Sequence, residues 1–384
     1  MSGSSLLRTR PATTNELMAV FDDASVLRHA LAFESALAQS QAARGIISAQ
    51  SAAAISAACD ALTVELPAFA DSVALAGTLA IPLLQALRAT LTDAAARDLH
   101  RGATSQDISD TVLMLQMKEA GALLARDHAR IIAALARSAR QFAALPAVGR
   151  TLLQDAGPIG FGLRIAQWAA GIREAAVDLE QAINTHAKVQ LGGAAGTRAE
   201  LAGHGAAVAA DLAARLKLRP SAPWHARRGG VAIVAARLGI CMGALGKMAH
   251  DIALLAQNRI GEAFEPLLEG RGGSSSMPHK RNCAGCQVAL SAATRAPGLV
   301  ATIIAGMPGE EERGLGGWQA DGPVLAELCL LAAGSAHAMA EVAEGLTIMQ
   351  QAITRNLSEA QLGEDIGESD ELVGELVDLP QGAH

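Results

Sequence analysis

Apolar residues recur every three or four positions along most of this chain, and no run convincingly alternates β-branched with polar residues. That periodicity belongs to helices, so the pattern predicts an all-α fold. The stripe Val26, Ala30, Phe33, Leu37 predicts a first helix over about 23–44, with an aspartate as its cap and Gly45 as its stop. The longest run, over 108–145, carries Leu113, Met117, Ala120, Leu124, Ile131, Leu135 and Phe142 on one face and halts at Pro146. Four more long apolar helices are predicted over about 158–189, 224–265, 282–307 and 324–346. Helices of this length need partners along their whole extent. Their alanine content lets axes approach closely, which predicts a central bundle of five long helices. Several of their faces stay apolar beyond what one bundle hides, so self-association is expected.

This reading divides the chain into a small N-terminal helical domain (1–107), a central long-helix bundle (108–347) and a truncated C-terminal segment (348–384). The last of these is acidic and weakly periodic, with material for one short helix but no core of its own.

Composition narrows the class. Hydrophobic residues make up 51% and charged residues 18% of the 384, which marks a globular chain. A net charge of −7, 2% aromatic residues and no tyrosine argue against nucleic acid or an anionic membrane as partner. The N-terminus lacks the apolar stretch of a signal peptide, and no uncharged apolar run is long enough to span a bilayer. Five cysteines, an odd number scattered through apolar stretches, suit reduced thiols in a cytoplasm. Cys283 and Cys286 form a CxxC; one pair without nearby histidines is weak evidence for a metal, and we read both as helix residues near one face.

Four segments break the helical pattern with small polar residues: 100–111 (HRGATSQDISDT), 149–162 (GRTLLQDAGPIGFG), 270–282 (GRGGSSSMPHKRN) and 310–321 (EEERGLGGWQAD). All four are expected at helix ends, where free N–H groups and the dipole favour anions. The third reads either as a solvated hinge or as a loop that closes over an anion. Met-Pro inside its polar run and the cations Lys280 and Arg281 beside its serines favour the second reading.

The stretch GSSSMPHKRN over 273–282 matches the signature GSSxMPxKxN of the fumarase/aspartase superfamily at every fixed position, and 100–111 and 149–162 match its first and second characteristic regions. The chain thus resembles that superfamily over most of its length. The pieces ALAGTLAIPLLQAL (74–87), LGGAAGT (191–197), PWHARR (223–228) and GGWQAD are most similar to its cycloisomerase branch, which lactonises 3-carboxy-cis,cis-muconate.

The resemblance implies an all-α homotetramer whose long helices share a common core and whose active sites each draw on three subunits. It implies a small polycarboxylate substrate and no metal or organic cofactor. Ser274 takes the place of the proton-transferring residue, with Lys280 to stabilise charge, and Lys280 and Asn282 to hold substrate carboxylate and orient the loop; Ser275 joins them. Thr104, Ser105 and Gln106 match the carboxylate-binding turn of the first region, Thr151 and Gln154 the polar pair of the second, and Arg313 is a further substrate contact. His225 and Arg228, beside Trp224, are expected as substrate or subunit contacts, and LGGAAG as a place of close backbone approach.

Two departures matter. Many lyases of the superfamily carry a histidine after the threonine of region two; here Leu152 stands there. An amine leaving group, whose conjugate acid has a pKa of about 10, needs a donated proton, whereas an expelled carboxylate, at about 4, does not. Leu152 therefore favours a cycloisomerase over an adenylosuccinate-type lyase. Arg101 replaces a frequent tryptophan, adding a cation that keeps open whether the 3-substituent is carboxylate or sulfonate. The remaining rival, a catalytically silent helical oligomer, has no need to retain Ser274, Lys280 and Asn282.

Overall fold

The computed structural model describes residues 6–378 except 274–276 and 278–279. Ser274, Ser275 and His279 lie outside the described residues. The chain is all-α, as its periodicity predicts. Helix α1 (Asp23–Ala42) is capped by Asp22, whose carboxylate accepts from the Ser25 N–H at 2.7 Å. Shorter helices lead to α2 (Ser105–Gln141), a 37-residue rod about 55 Å long. After α2 come α3 (Phe161–His186), α4 (Gly205–Leu216), α5 (Gly229–Leu255), α6 (Ala284–Ala305) and α7 (Gly317–Glu344).

The five long helices α2, α3, α5, α6 and α7 pack on one another around the larger of two cores. The α2 stripe behaves as read, with Leu113 through Leu135 buried and only Phe142 partly exposed. A close approach ends it: a Cβ on Gly162 would lie 2.1 Å from the Ala139 carbonyl oxygen, so α3 starts directly against α2. The second core joins Phe33, Leu37, Ile55 and Leu83 to Val189, Leu191 and Leu212, so the segment after α3 returns to pack on the N-terminal helices.

The helices α5, α6 and α7 are each long and apolar enough to cross a membrane by length and composition. None of them holds a long uncharged run, because charges such as Lys247 in α5, Arg295 in α6 and Glu327 in α7 interrupt them. Here they lie side by side in the bundle.

The structure also corrects the absence of strands. Strands β1 (Pro146–Thr151) and β2 (Gln154–Gly160) form an antiparallel hairpin, and β3 (Ala263–Phe264) pairs with β4 (Thr347–Ile348). PAVGRT and QDAGPIG alternate too weakly for period two to show. The C-terminal segment forms two short helices, α8 (Gln350–Glu359) and α9 (Ser369–Val377), one more than expected; α8 packs on β1 and α9 on α3.

Candidate active site

Region one lies at the start of α2. Thr104 is its N-cap, with its N–H donating to the Asp107 carboxylate at 2.9 Å. Arg313, arriving from the loop before α7, donates to Thr104 Oγ1 at 2.8 Å and to Gln106 Oε1 at 3.3 Å. The structure thus joins three of the sequence-chosen residues in one corner. Gln106 is wholly buried and also donates to the His225 carbonyl at 3.3 Å, so it braces Arg313. Ser105 opens the helix and its carbonyl accepts from Ser109 Oγ at 3.1 Å. Arg313 lines an open cavity of about 570 Å³ together with Ala194, Ala195 and Glu310.

Behind this corner stands a buried polar network that the sequence did not reveal. The Asp107 carboxylate accepts from the N–H groups of Gly192 (2.9 Å) and Gly193 (3.0 Å) and meets His225 Nε2 at 2.8 Å. The glycine segment approaches closely, as expected: a Cβ on Gly192 would sit 2.6 Å from His225 Cε1. Arg228 grips Asp110 with two bonds of 2.8 and 3.0 Å, bonds Asp321 at 2.9 Å and stacks on the Trp224 ring at 4.8 Å. Burial raises the Asp321 carboxyl above the usual carboxylate range; Arg228 offsets this only in part, and the like charge of Asp110 adds to it. His225 and Arg228 are therefore not open contacts. Both are buried and bonded within the chain, because burial demands that their polar atoms be paired. The signal available in the sequence was Asp107, three residues after a threonine before a long apolar run.

Arg101 is likewise corrected. Its guanidinium donates to the Ile46 carbonyl at 3.1 Å and lies 3.8 Å from Asp98, so it serves the N-terminal helices and does not join the Thr104–Arg313 corner.

Region two spans most of the β1–β2 hairpin and runs into the start of α3, whose N-cap is Gly160. Thr151 and Gln154 pair across the hairpin tip, and both are exposed. Between them Leu152 (φ +52°) and Leu153 (φ +63°) adopt the left-handed conformation of a turn that normally takes Asn-Gly. These leucines are 95% and 78% exposed. One pair back from the tip, Arg150 donates to the fully buried Glu262 at 2.7 and 3.0 Å and ties that end of the hairpin down. Glu262 also accepts from Asn356 of α8 at 2.8 Å.

At the signature loop, Gly272 (φ +71°) turns the chain so that its carbonyl accepts from the Asn282 N–H at 2.9 Å. A Cβ there would meet the Asn282 carbonyl oxygen at 2.6 Å, which requires glycine. The Asn282 side chain donates to the Gly273 carbonyl at 3.2 Å, tying the loop base. Lys280 is exposed. Arg281 folds back over the Phe264 ring at 4.9 Å and donates to the Glu265 carbonyl at 3.2 Å.

Comparison with known proteins agrees with the sequence signature. The pattern of a lyase family matches residues 9–298. A 3-carboxy-cis,cis-muconate cycloisomerase of Bradyrhizobium diazoefficiens is 42% identical over 369 residues, 92% of this chain and 82% of that one. A protein of the same name from Pseudomonas aeruginosa is 44% identical over 345 residues, covering 89% and 75%. The crystal structure of the 3-carboxy-cis,cis-muconate lactonizing enzyme from Pseudomonas putida matches with a TM-score of 0.85 at 38% identity, covering 97% of this chain and 87% of that one. With the order of its three polar segments and its long-helix bundle, the chain belongs to this lyase family, within the fumarase/aspartase superfamily.

Proposed function

We propose that this protein is a cytoplasmic, cofactor-independent cycloisomerase that interconverts 3-carboxy-cis,cis-muconate, or a 3-substituted analogue such as the sulfonate, and its muconolactone. The observation that carries the reading is the likeness to named cycloisomerases across about nine-tenths of the chain. The site chemistry supports it. A carboxylate of the substrate adds to the far double bond within the same molecule, so proximity supplies much of the rate. Charge then develops on the neighbouring carboxylate as an enediolate. Lys280, the loop N–H groups and the hydroxyl of Thr104 beside Arg313 stabilise it. Ser274 delivers the proton at the adjacent carbon. In the reverse direction the lactone oxygen leaves as a carboxylate and needs no proton donor, consistent with Leu152 at the hairpin tip.

The active assembly is a homotetramer with sites shared between subunits. Thr104 begins α2 and the hairpin follows its end, so about 55 Å of rod separates regions one and two in one chain. A small tricarboxylate is far shorter than that, which supports a region two supplied by another copy. Apolar side chains exposed on α5 and α6, among them Ile233, Ile240 and Ile304, support burial against such copies.

The test is an assay of purified protein dialysed against a chelator. It is expected to consume 3-carboxy-cis,cis-muconate, read as loss of diene ultraviolet absorbance, and to leave adenylosuccinate intact. Inertness toward both muconates with turnover of adenylosuccinate overturns the assignment.

A further inference from the structure

The CxxC pair plays no part in the proposed reaction, and its geometry is more specific than its spacing. Cys283 is not inside the helix: it is the N-cap of α6, and Cys286 occupies the third helical position. An N-cap side chain points toward that position, so the two thiols share the first turn of α6. Cys283 is half-buried and Cys286 fully buried. Glu265 closes the cluster: its carboxylate accepts from the N–H groups of Gly285 at 3.0 Å and Cys286 at 2.6 Å, the latter on the same residue as the buried thiol. Glu265 is itself 8% exposed.

The pair is thus asymmetric. The neighbouring Cys286 draws the Cys283 thiol below its usual range, whereas Cys283, burial and the nearby Glu265 push the Cys286 thiol up. An accessible thiol favoured as thiolate, at a helix N-terminus, next to a buried second thiol with a carboxylate in reach, is the arrangement that dithiol–disulfide exchange requires. The three other cysteines provide a contrast. Cys59, Cys241 and Cys329 are buried, and burial pushes the first two up to about 12.

We propose that Cys283 and Cys286 form a redox-active dithiol that closes to an intrachain disulfide when it meets a small-molecule disulfide. The Cys283 thiolate attacks one sulfur of the small disulfide; its S–S bond breaks, and one small thiolate leaves and takes up a proton. Cys286 then gives its proton to Glu265 and its sulfur attacks Cys283. The second small thiolate leaves with that proton. Two protein thiols are oxidised to one disulfide, and one small disulfide is reduced to two thiols. The modification sits one residue after Asn282, at the base of the signature loop, and does not depend on which reaction the protein catalyses.

The test equilibrates the full-length native protein in buffers of reduced and oxidised glutathione, then quenches and maps the peptides by mass. The expected result is the loss of two hydrogens confined to the Cys283–Cys286 peptide, restored by dithiothreitol, with the other three cysteines unmodified. Cys286→Ser is expected to trap one glutathione on Cys283, and Cys283→Ser to trap none. Absence of that disulfide even in fully oxidised buffer overturns the proposal, as does an adduct that forms on Cys286 in preference to Cys283. Should either variant fail to fold, the wild-type map alone decides.

Discussion

Single residues carry the sharpest energetic consequences where charge is buried. Arg228 serves two carboxylates, Asp110 and Asp321, all three nearly free of solvent. Removing the guanidinium leaves both acids without a counter-charge. Arg228→Met is therefore expected to cost about 3–5 kcal/mol in chemical denaturation, with part recovered when Asp110→Asn and Asp321→Asn are added. His100 offers a pH-dependent case. It holds a left-handed backbone (φ +62°), and its ring meets the buried Glu34 carboxylate at 2.6 Å. Burial works to lower its pKa, but Glu34, with help from Asp107, outweighs that and raises it. A group that binds its proton more tightly when folded contributes stability in full below its unfolded pKa of about 6.5 and loses it as pH rises through the folded value. Denaturation midpoints of wild type relative to His100→Gln should therefore converge as pH climbs through that window. A constant difference would show that the ion pair adds nothing.

At the scale of elements, the hairpin shows how a weak sequence signal becomes a defined structure. Two leucines in left-handed conformation do not favour this turn on their own. The Glu262 carboxylate, anchoring Arg150 from β1 and Asn356 from α8, supports it. The C-terminal segment, expected to make one short helix and no core of its own, is in this respect a buttress for the hairpin. Glu262→Gln should displace Thr151 and Gln154 and lower kcat by about a hundredfold while the helical content stays unchanged. Unaltered kcat would show that the tip holds its position unaided.

For the whole molecule, the proposed sharing of sites between copies predicts complementation. If region one and the signature loop come from different copies, two inactive variants should complement. Ser274→Ala and Thr104→Val are each expected to abolish turnover with the assembly intact. Co-refolded in equal amounts, they should recover about a quarter of wild-type activity by random assortment. No recovery would mean that one chain supplies both regions.

The sequence by itself determined the helical class and the approximate extent of every long helix, because three-to-four-residue periodicity is a local consequence of burying one face. It also marked the signature loop and the polar segments at 100–111 and 310–321, since runs of small polar residues stand out against alanine-rich helices. It could not show that Arg313 meets Thr104 across 209 residues, or that Asp107, Asp110 and Glu262 are internal counter-ions. Nor could it show that a hairpin precedes the helix start in the second segment. Those depend on which chain segments meet, and the three-dimensional packing of the bundle alone decides that.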